Sequence, residues 1–183
     1  SKWASMAFLS KVYFQKNDFA NCINWSDQII NSGQFSLNST VNKIYNVSGW
    51  NFSNETIFQI INIPEDNSNG TLTGRLKSNS VTYSSSFSDA ISNQDDLRNS
   101  NLYTFLSVPY LKKYSNTAMN VTVVRLAEIL LSRAESKFML DYPHESVLED
   151  INLLKERAGL LSDDTCDDHD ELLTSIRHQR NIE

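Results

Sequence analysis

The chain has 183 residues, 40% of them apolar, with 16 Lys plus Arg against 22 Asp plus Glu and a formal net charge of −6. That length suits one domain around a single core. The acidic balance argues against a nucleic-acid partner, whose phosphates require a basic footprint, and no apolar run approaches the roughly 18–20 residues that span a bilayer.

Residues 1–33 read as a helical hairpin. Ala4, Ala7, Phe8, Val12 and Tyr13 form a broad apolar face of the first helix, widened by Trp3, Met6 and Leu9. Asn17-Asp18 interrupts it, and Asp18 is a suitable N-cap for the next helix. There Phe19, Cys22, Ile23, Ser26, Ile29 and Ile30 follow an i, i+3, i+4, i+7 rhythm until Gly33 supplies a left-handed cap. Cys22 lies on that stripe as a small buried hydrophobe.

Residues 34–118 lose helical periodicity and become rich in Asn, Ser, Gly and Thr. One strand stands out, Thr56 to Ile63, stopped by Pro64. From Glu65 to Ser92 turn formers dominate, including Asn69-Gly70 and the run Ser84-Ser85-Ser86, with Leu72, Tyr83, Phe87 and Ile91 as anchors. A long loop region on a helical frame is where binding function usually resides. N-x-[S/T] sequons occur at Asn24, Asn38, Asn46, Asn51, Asn54, Asn69 and Asn120. They read as a by-product of polar Asn/Ser-rich loops rather than as glycan acceptors.

Residues 119–183 form a second helical hairpin and the start of a further helix. The stretch Asn120 to Leu140 is apolar around most of its circumference and is expected to be a helix buried between neighbours. Ala127 and Ala134 permit close helix approach, and Arg125, Glu128 and Ser132 share a face. Asp141-Tyr142-Pro143 makes the turn. The next helix buries Val147, Leu148, Ile151, Leu154 and Ala158, ends at Gly159, and carries Lys155 and Arg157 where they favour the helix dipole. The acidic stretch Ser162 to Glu171 lacks the spacing of a calcium loop and reads as a solvated loop, with Asp168 and Glu171 capping a last helix built on Leu172, Leu173 and Ile176. Acidic neighbours are expected to raise the thiol pKa of Cys166.

Two hairpins of about 33 to 38 residues suggest tetratricopeptide-like repeats, scaffolds that present loops and partner surfaces. Motifs for catalysis are scarce. There is no phosphate-binding glycine loop and no G-x-S-x-G elbow, and His144, His169 and His178 have no paired-ligand spacing. The adjacent Asp95 and Asp96 read as solvated carboxylates rather than a glycosidase pair. No catalytic residue, metal or cofactor is expected.

Two segments carry a family resemblance: Val124-Arg125-Leu126-Ala127-Glu128-Ile129-Leu130-Leu131-Ser132-Arg133-Ala134-Glu135, and Asp150-Ile151-Asn152-Leu153-Leu154-Lys155-Glu156-Arg157-Ala158-Gly159-Leu160. With Glu55 to Asn62, Asp96-Leu97-Arg98, Lys113-Tyr114 and Leu173 to Glu183, they resemble the SusD/RagB family of outer-membrane nutrient-binding lipoproteins. Gln179 stands where that family usually has glutamate. The resemblance implies a mainly α fold with tetratricopeptide-like helix pairs and a long loop-rich insertion. It implies a lipoprotein on the outer face of a Gram-negative outer membrane, a SusC-like TonB-dependent transporter as partner, and an oligosaccharide or peptide ligand. The chain opens directly into helical periodicity and stops within a helical pattern, so it is expected to be part of a longer protein whose lipidated cysteine and membrane anchor lie outside it.

Sugar binding requires flat aromatic faces for C–H surfaces and amides or carboxylates for hydroxyls. Tyr45, Trp50, Phe52 and Tyr83 are the candidate ligand-binding residues, with Phe87 and with Asn46, Asn51, Asn54 and Asn79 nearby. The alternative for each ring is a plug in the core beneath the loops. Trp50 is the strongest candidate, because it follows Gly49 in a polar run with no periodicity to bury it. The competing reading for the whole chain is a repeat adaptor that binds a protein through its helices and leaves the middle loops dispensable.

Overall fold

The computed structural model describes residues 1–40, 43, 47–62, 84–91, 95–105, 108–111, 119–163, 166 and 168–183, with residues 100–105 and 108–111 described as backbone. Helix α1 (Lys2–Gln15) and helix α2 (Phe19–Ile30) form the first hairpin. Strand β1 (Thr56–Ile60), the short helix α3 (Ser85–Ala90), a 3-10 turn (Leu97–Asn101) and the strand pair β2 (Leu102–Phe105) and β3 (Val108–Leu111) follow. Strand β4 (Val121–Arg125) then runs straight into helix α4 (Leu126–Met139), followed by α5 (His144–Arg157) and α6 (His169–Ile182). The fold is mainly α, as the resemblance implies, with two small antiparallel pairs among the described residues, β1 with β4 and β2 with β3.

Helix α4 is the axis of the molecule. Its Ala127, Ile129 and Ala134 are fully buried, and it touches α1, α2, α5 and α6. One core cluster joins Ala134 and Phe138 to Val147, Leu148 and Ile151 of α5 and to Leu172 and Ile176 of α6. A second joins Met6, Ala7, Ile29, Ile57, Val124 and Ile129, fastening the first hairpin and the β1–β4 pair to α4. Small residues allow α1 and α2 to approach closely: the hydroxyls of Ser10 and Ser26 are 2.8 Å apart, and the Cys22 thiol donates to the Ser132 carbonyl at 3.8 Å.

The charges of the helical signature are used between elements rather than along one face. Glu128 pairs with Lys11 of α1 at 2.7 Å, Glu135 with Arg180 of α6 at 2.7 Å, and Arg133 bridges Asp27 of α2 and the buried Asp150 of α5. A helix surrounded on most sides has no solvated face to spend charges on, so each one meets a partner across a groove.

Several expectations need correction. Within the span expected to be helix, Val121–Arg125 is strand and Asn120 precedes it. The β-branched run Val121-Thr122-Val123-Val124 favours extended backbone, and β1 supplies the ladder, pairing Ile60 with Val121 and Thr56 with Arg125. Arg125 therefore stands at the strand–helix junction and shares no helical face with Glu128. The buried side of α1 is Ala4, Met6, Ala7 and Ser10, whereas Phe8, Leu9 and Val12 stay between 37% and 51% exposed. The serine run Ser84-Ser85-Ser86 opens α3, with the Ser84 hydroxyl capping the Phe87 N–H at 3.2 Å. Asp18 and Asp168 cap α2 and α6 as expected, and Gly33 and Gly159 adopt φ of 64° and 78°.

Candidate ligand-binding surface

Trp50 stands at the corner of a tight turn between Val47 and Ser53. Gly49 has a φ of 58°, Trp50 has a negative φ, and the Asn51 N–H donates to the Ser48 carbonyl at 3.4 Å. This is the sign pattern of a type II′ turn, in which glycine suits the first corner and the second corner projects outward. Trp50 is 78% exposed and Phe52 63% exposed, two large apolar rings within three residues. Exposure on that scale sacrifices burial that a core ring would gain, so these rings do not plug the core beneath the loop.

The turn is tied down from below. Ser48 forms a bridge with Met119, and the Asn120 N–H donates to the Val47 carbonyl at 2.8 Å. The Asn120 carboxamide donates to the carbonyls of Gly49 at 2.8 Å and Asn51 at 3.2 Å, and accepts the Asn62 N–H at 3.0 Å. Gln59, on the inward side of β1, donates to the Asn51 carbonyl at 2.8 Å. The Gly49 and Asn51 carbonyls beside the exposed rings are thus satisfied by buried amides.

Next to this turn lies a buried ionic cluster. The Glu55 side chain is fully buried and accepts from Arg157 at 2.7 and 2.9 Å, from Arg125 at 3.1 Å and from the Asn38 N–H at 3.3 Å. Glu183 meets Arg125 at 3.0 Å, Arg98 at 2.9 Å and also Arg157. Arg98, 1% exposed, is forked onto Asp96 and donates to Gln179 at 2.9 Å. Burial alone would push the Glu183 carboxyl up. Arg125, Arg157 and Arg98 outweigh it and hold it down at about 2. Arg157 lies in the last turn of α5 as expected and is also the centre of this cluster, in which Asp96 is bound rather than solvated.

Of the predicted ligand residues, Trp50 and Phe52 are both exposed, two positions apart in the chain, while Tyr45 and Tyr83 lie outside the described residues. Phe87, on α3, is only half-buried. Asn51 flanks the rings; Asn46 and Asn79 lie outside the described residues. Sequence reasoning missed Asn120 and Gln59, although Asn120 was visible as a sequon asparagine. Its burial, at 3% exposure, removes it from consideration as a glycan acceptor. A separate groove of about 740 Å³ runs beside α6, bounded by Leu97, Lys155, Leu161, Asp163 and His178. Burial and the nearby Arg98 lower the His178 pKa. Among the described residues, no group of three His, Cys, Asp or Glu side chains is placed to hold a metal ion.

The architecture matches solved structures over nearly the whole chain. A SusD-like carbohydrate binding protein from Bacteroides vulgatus aligns with 100% of this chain at a TM-score of 0.79 and 18% identity. A SusD superfamily protein from Bacteroides thetaiotaomicron aligns with 99% of it at 0.77 and 20%. Surface glycan-binding protein A from Bacteroides uniformis aligns with 95% at 0.70 and 19%. The chain covers 42%, 46% and 45% of those three proteins respectively, under half of each. No match was found among curated proteins. At these identities the likeness establishes the fold, and the sequence itself supplies the kinship. The SusD family model matches residues 44–183, a span that contains the exposed turn, the ionic cluster and both signature helices, and the chain belongs to the SusD family.

Proposed function

We propose that this chain is the part of a cell-surface nutrient-binding protein that contributes an aromatic surface for an oligosaccharide, delivered onward to a SusC-like TonB-dependent transporter in the outer membrane of a Gram-negative bacterium. The observation that carries the reading is the pair Trp50 and Phe52, exposed at 78% and 63%, in a segment whose Gly49 and Asn51 carbonyls are held by side-chain amides. Family membership and the carbohydrate-binding relatives support it. A sugar offers C–H faces to a ring and hydroxyls to amides, and each hydroxyl exchanges water for protein bonds at a net gain of only about 0.5–1.5 kcal/mol. Stacking adds apolar burial at roughly 25 cal/mol per Å². The resulting affinity lies in the micromolar to millimolar range, about −8 to −4 kcal/mol, which suits a receptor that must release its cargo. Tyr45 and Tyr83 remain candidate ligand residues in this reading. The reading involves binding without hydrolysis, a lipid anchor outside this chain, and the helices rather than the loops as the contact with the transporter.

The test is Trp50→Ala in the intact protein, titrated against a panel of α-glucan, β-glucan and xylan oligosaccharides. Loss of glycan binding with unchanged far-UV circular dichroism is expected. Unchanged binding removes Trp50 from the site. Failure of the unsubstituted protein to bind either glycans or peptides favours a repeat adaptor that docks a protein.

A further inference from the structure

An exposed indole on a surface turn ordinarily samples several rotamers, and the backbone beneath it moves as well. The turn at Trp50 is built differently. The carbonyls on either side of the Trp50 residue, those of Gly49 and Asn51, both point away from solvent and onto carboxamide donors. The donors come from two strands that are themselves paired: Gln59 lies within β1 and Asn120 immediately precedes β4. Asn120 uses every side-chain function available to it. Its amide nitrogen serves Gly49 and Asn51, and its oxygen accepts from the N–H of Asn62, two residues beyond β1. None of these is a ladder bond. They are side-chain tethers from the sheet to the turn, at 3% and 8% exposure for Asn120 and Gln59.

We propose that Asn120, assisted by Gln59, is the positioning residue of this surface, holding the turn so that Trp50 stands as a preformed stacking face. The proposal rests on the glycan reading of Trp50. Its physical basis is that association is opposed by the ordering of groups at the interface, so a turn ordered in advance loses less freedom when a sugar stacks on it. Asn120 touches no ligand in this scheme. It acts only through the two carbonyls that bracket Trp50. Asparagine is required because the position must donate twice and accept once; aspartate has a similar shape, yet would turn a second oxygen toward two carbonyl oxygens.

The experiment uses the intact protein carrying Asn120→Ala, Asn120→Asp, Gln59→Ala or Trp50→Ala. Two readouts are taken: the order of the Trp50 indole N–H by nitrogen-15 relaxation without ligand, and affinity for the α-glucan, β-glucan and xylan oligosaccharide panel. Asn120→Ala and Asn120→Asp are expected to mobilise the Trp50 indole while leaving those of Trp3 and Trp25 unchanged, and to weaken glycan binding roughly two- to tenfold. Gln59→Ala, which removes one tether of three, is expected to do the same to a lesser extent. It keeps the test decisive if the Asn120 variants fail to fold. An indole as ordered as in the unsubstituted protein in the Asn120 or Gln59 variants overturns the proposal. So does undiminished glycan affinity in those variants when Trp50→Ala abolishes binding. Undiminished affinity in Trp50→Ala itself sinks the glycan reading instead, while the indole relaxation still decides whether the tethers hold the turn.

Discussion

Replacing Glu55 by glutamine probes the ionic cluster with almost no change in volume. Glu55 is fully buried and receives Arg157 twice, Arg125 once and the Asn38 N–H once. Glutamine keeps one oxygen, but it places an NH₂ against guanidinium or amide donors and removes the negative charge that Arg125 and Arg157 share with Glu183. Breaking a buried ion pair from one side costs about 3–5 kcal/mol. Glu183 still neutralises part of the remaining charge, so we expect the lower end, about 3 kcal/mol. That is a large share of the roughly 5–15 kcal/mol typical of a domain, and at about 2–4 °C per kcal/mol it lowers Tm by roughly 6–12 °C. Urea unfolding followed by far-UV circular dichroism gives the loss directly, and a cycle with Arg157→Met separates the pair from its surroundings. A loss below about 1 kcal/mol, or strictly additive effects of the two changes, would refute the view that the cluster holds these elements together.

Three further outcomes are expected. The Glu183 carboxyl is depressed from 4.5 to about 2, so its stabilisation is fully present above pH 4.5 and is lost as pH falls toward 2; urea midpoints at pH 6 and pH 3 check this, and equal midpoints would contradict it. Gly159→Ala forces a φ of 78° on alanine and sets a Cβ 3.0 Å from the Leu97 side chain, whereas Gly33→Ala meets open space, so both variants lose about 1–2 kcal/mol in backbone strain and Gly159→Ala loses more. Burial and the acidic neighbours led by Glu171 raise the Cys166 thiol pKa, so its alkylation at pH 8 is expected to be slower than that of an unstructured cysteine and to speed up as pH rises past 9, by mass-spectrometric time course.

The parts of the fold visible in the sequence are those written into short windows. The α2 stripe, the caps Asp18 and Asp168, the left-handed glycines and the apolar face of α5 each follow from spacing within four residues. Helix α1 defeats that approach because it is apolar almost all round, so periodicity cannot say which side is buried; contact with α2 and Ile57 decides it. Strand β4 is hidden for another reason. Its β-branched run abuts the best helix former in the chain, and its partner strand lies about 60 residues away. Arg157 illustrates the same limit, since its partner Glu55 is 102 residues distant and no local pattern connects them. At the surface, Gly49 and the polar run around Trp50 signalled exposure correctly, but the tethers from Asn120 and Gln59 required the β1–β4 pairing to be known first.

The ionic cluster also bears on the order in which the chain assembles. Its contacts join Glu55 to Arg157 across 102 residues, Arg98 to Glu183 across 85 and Arg125 to Glu183 across 58, while each helical hairpin closes over a short turn. Loop-closure entropy favours the hairpins first and leaves such distant contacts to the final docking. The docking of Arg98, Arg125 and Arg157 onto these distant carboxylates is therefore placed late, with the packing of the helical hairpins against one another. Interactions that form after the folding transition state govern how fast the native state is lost, not how fast it is reached. Glu55→Gln is accordingly expected to steepen decay without slowing formation, raising the unfolding rate in stopped-flow chevrons and leaving the refolding limb in place. The cluster then functions as a latch on native-state lifetime.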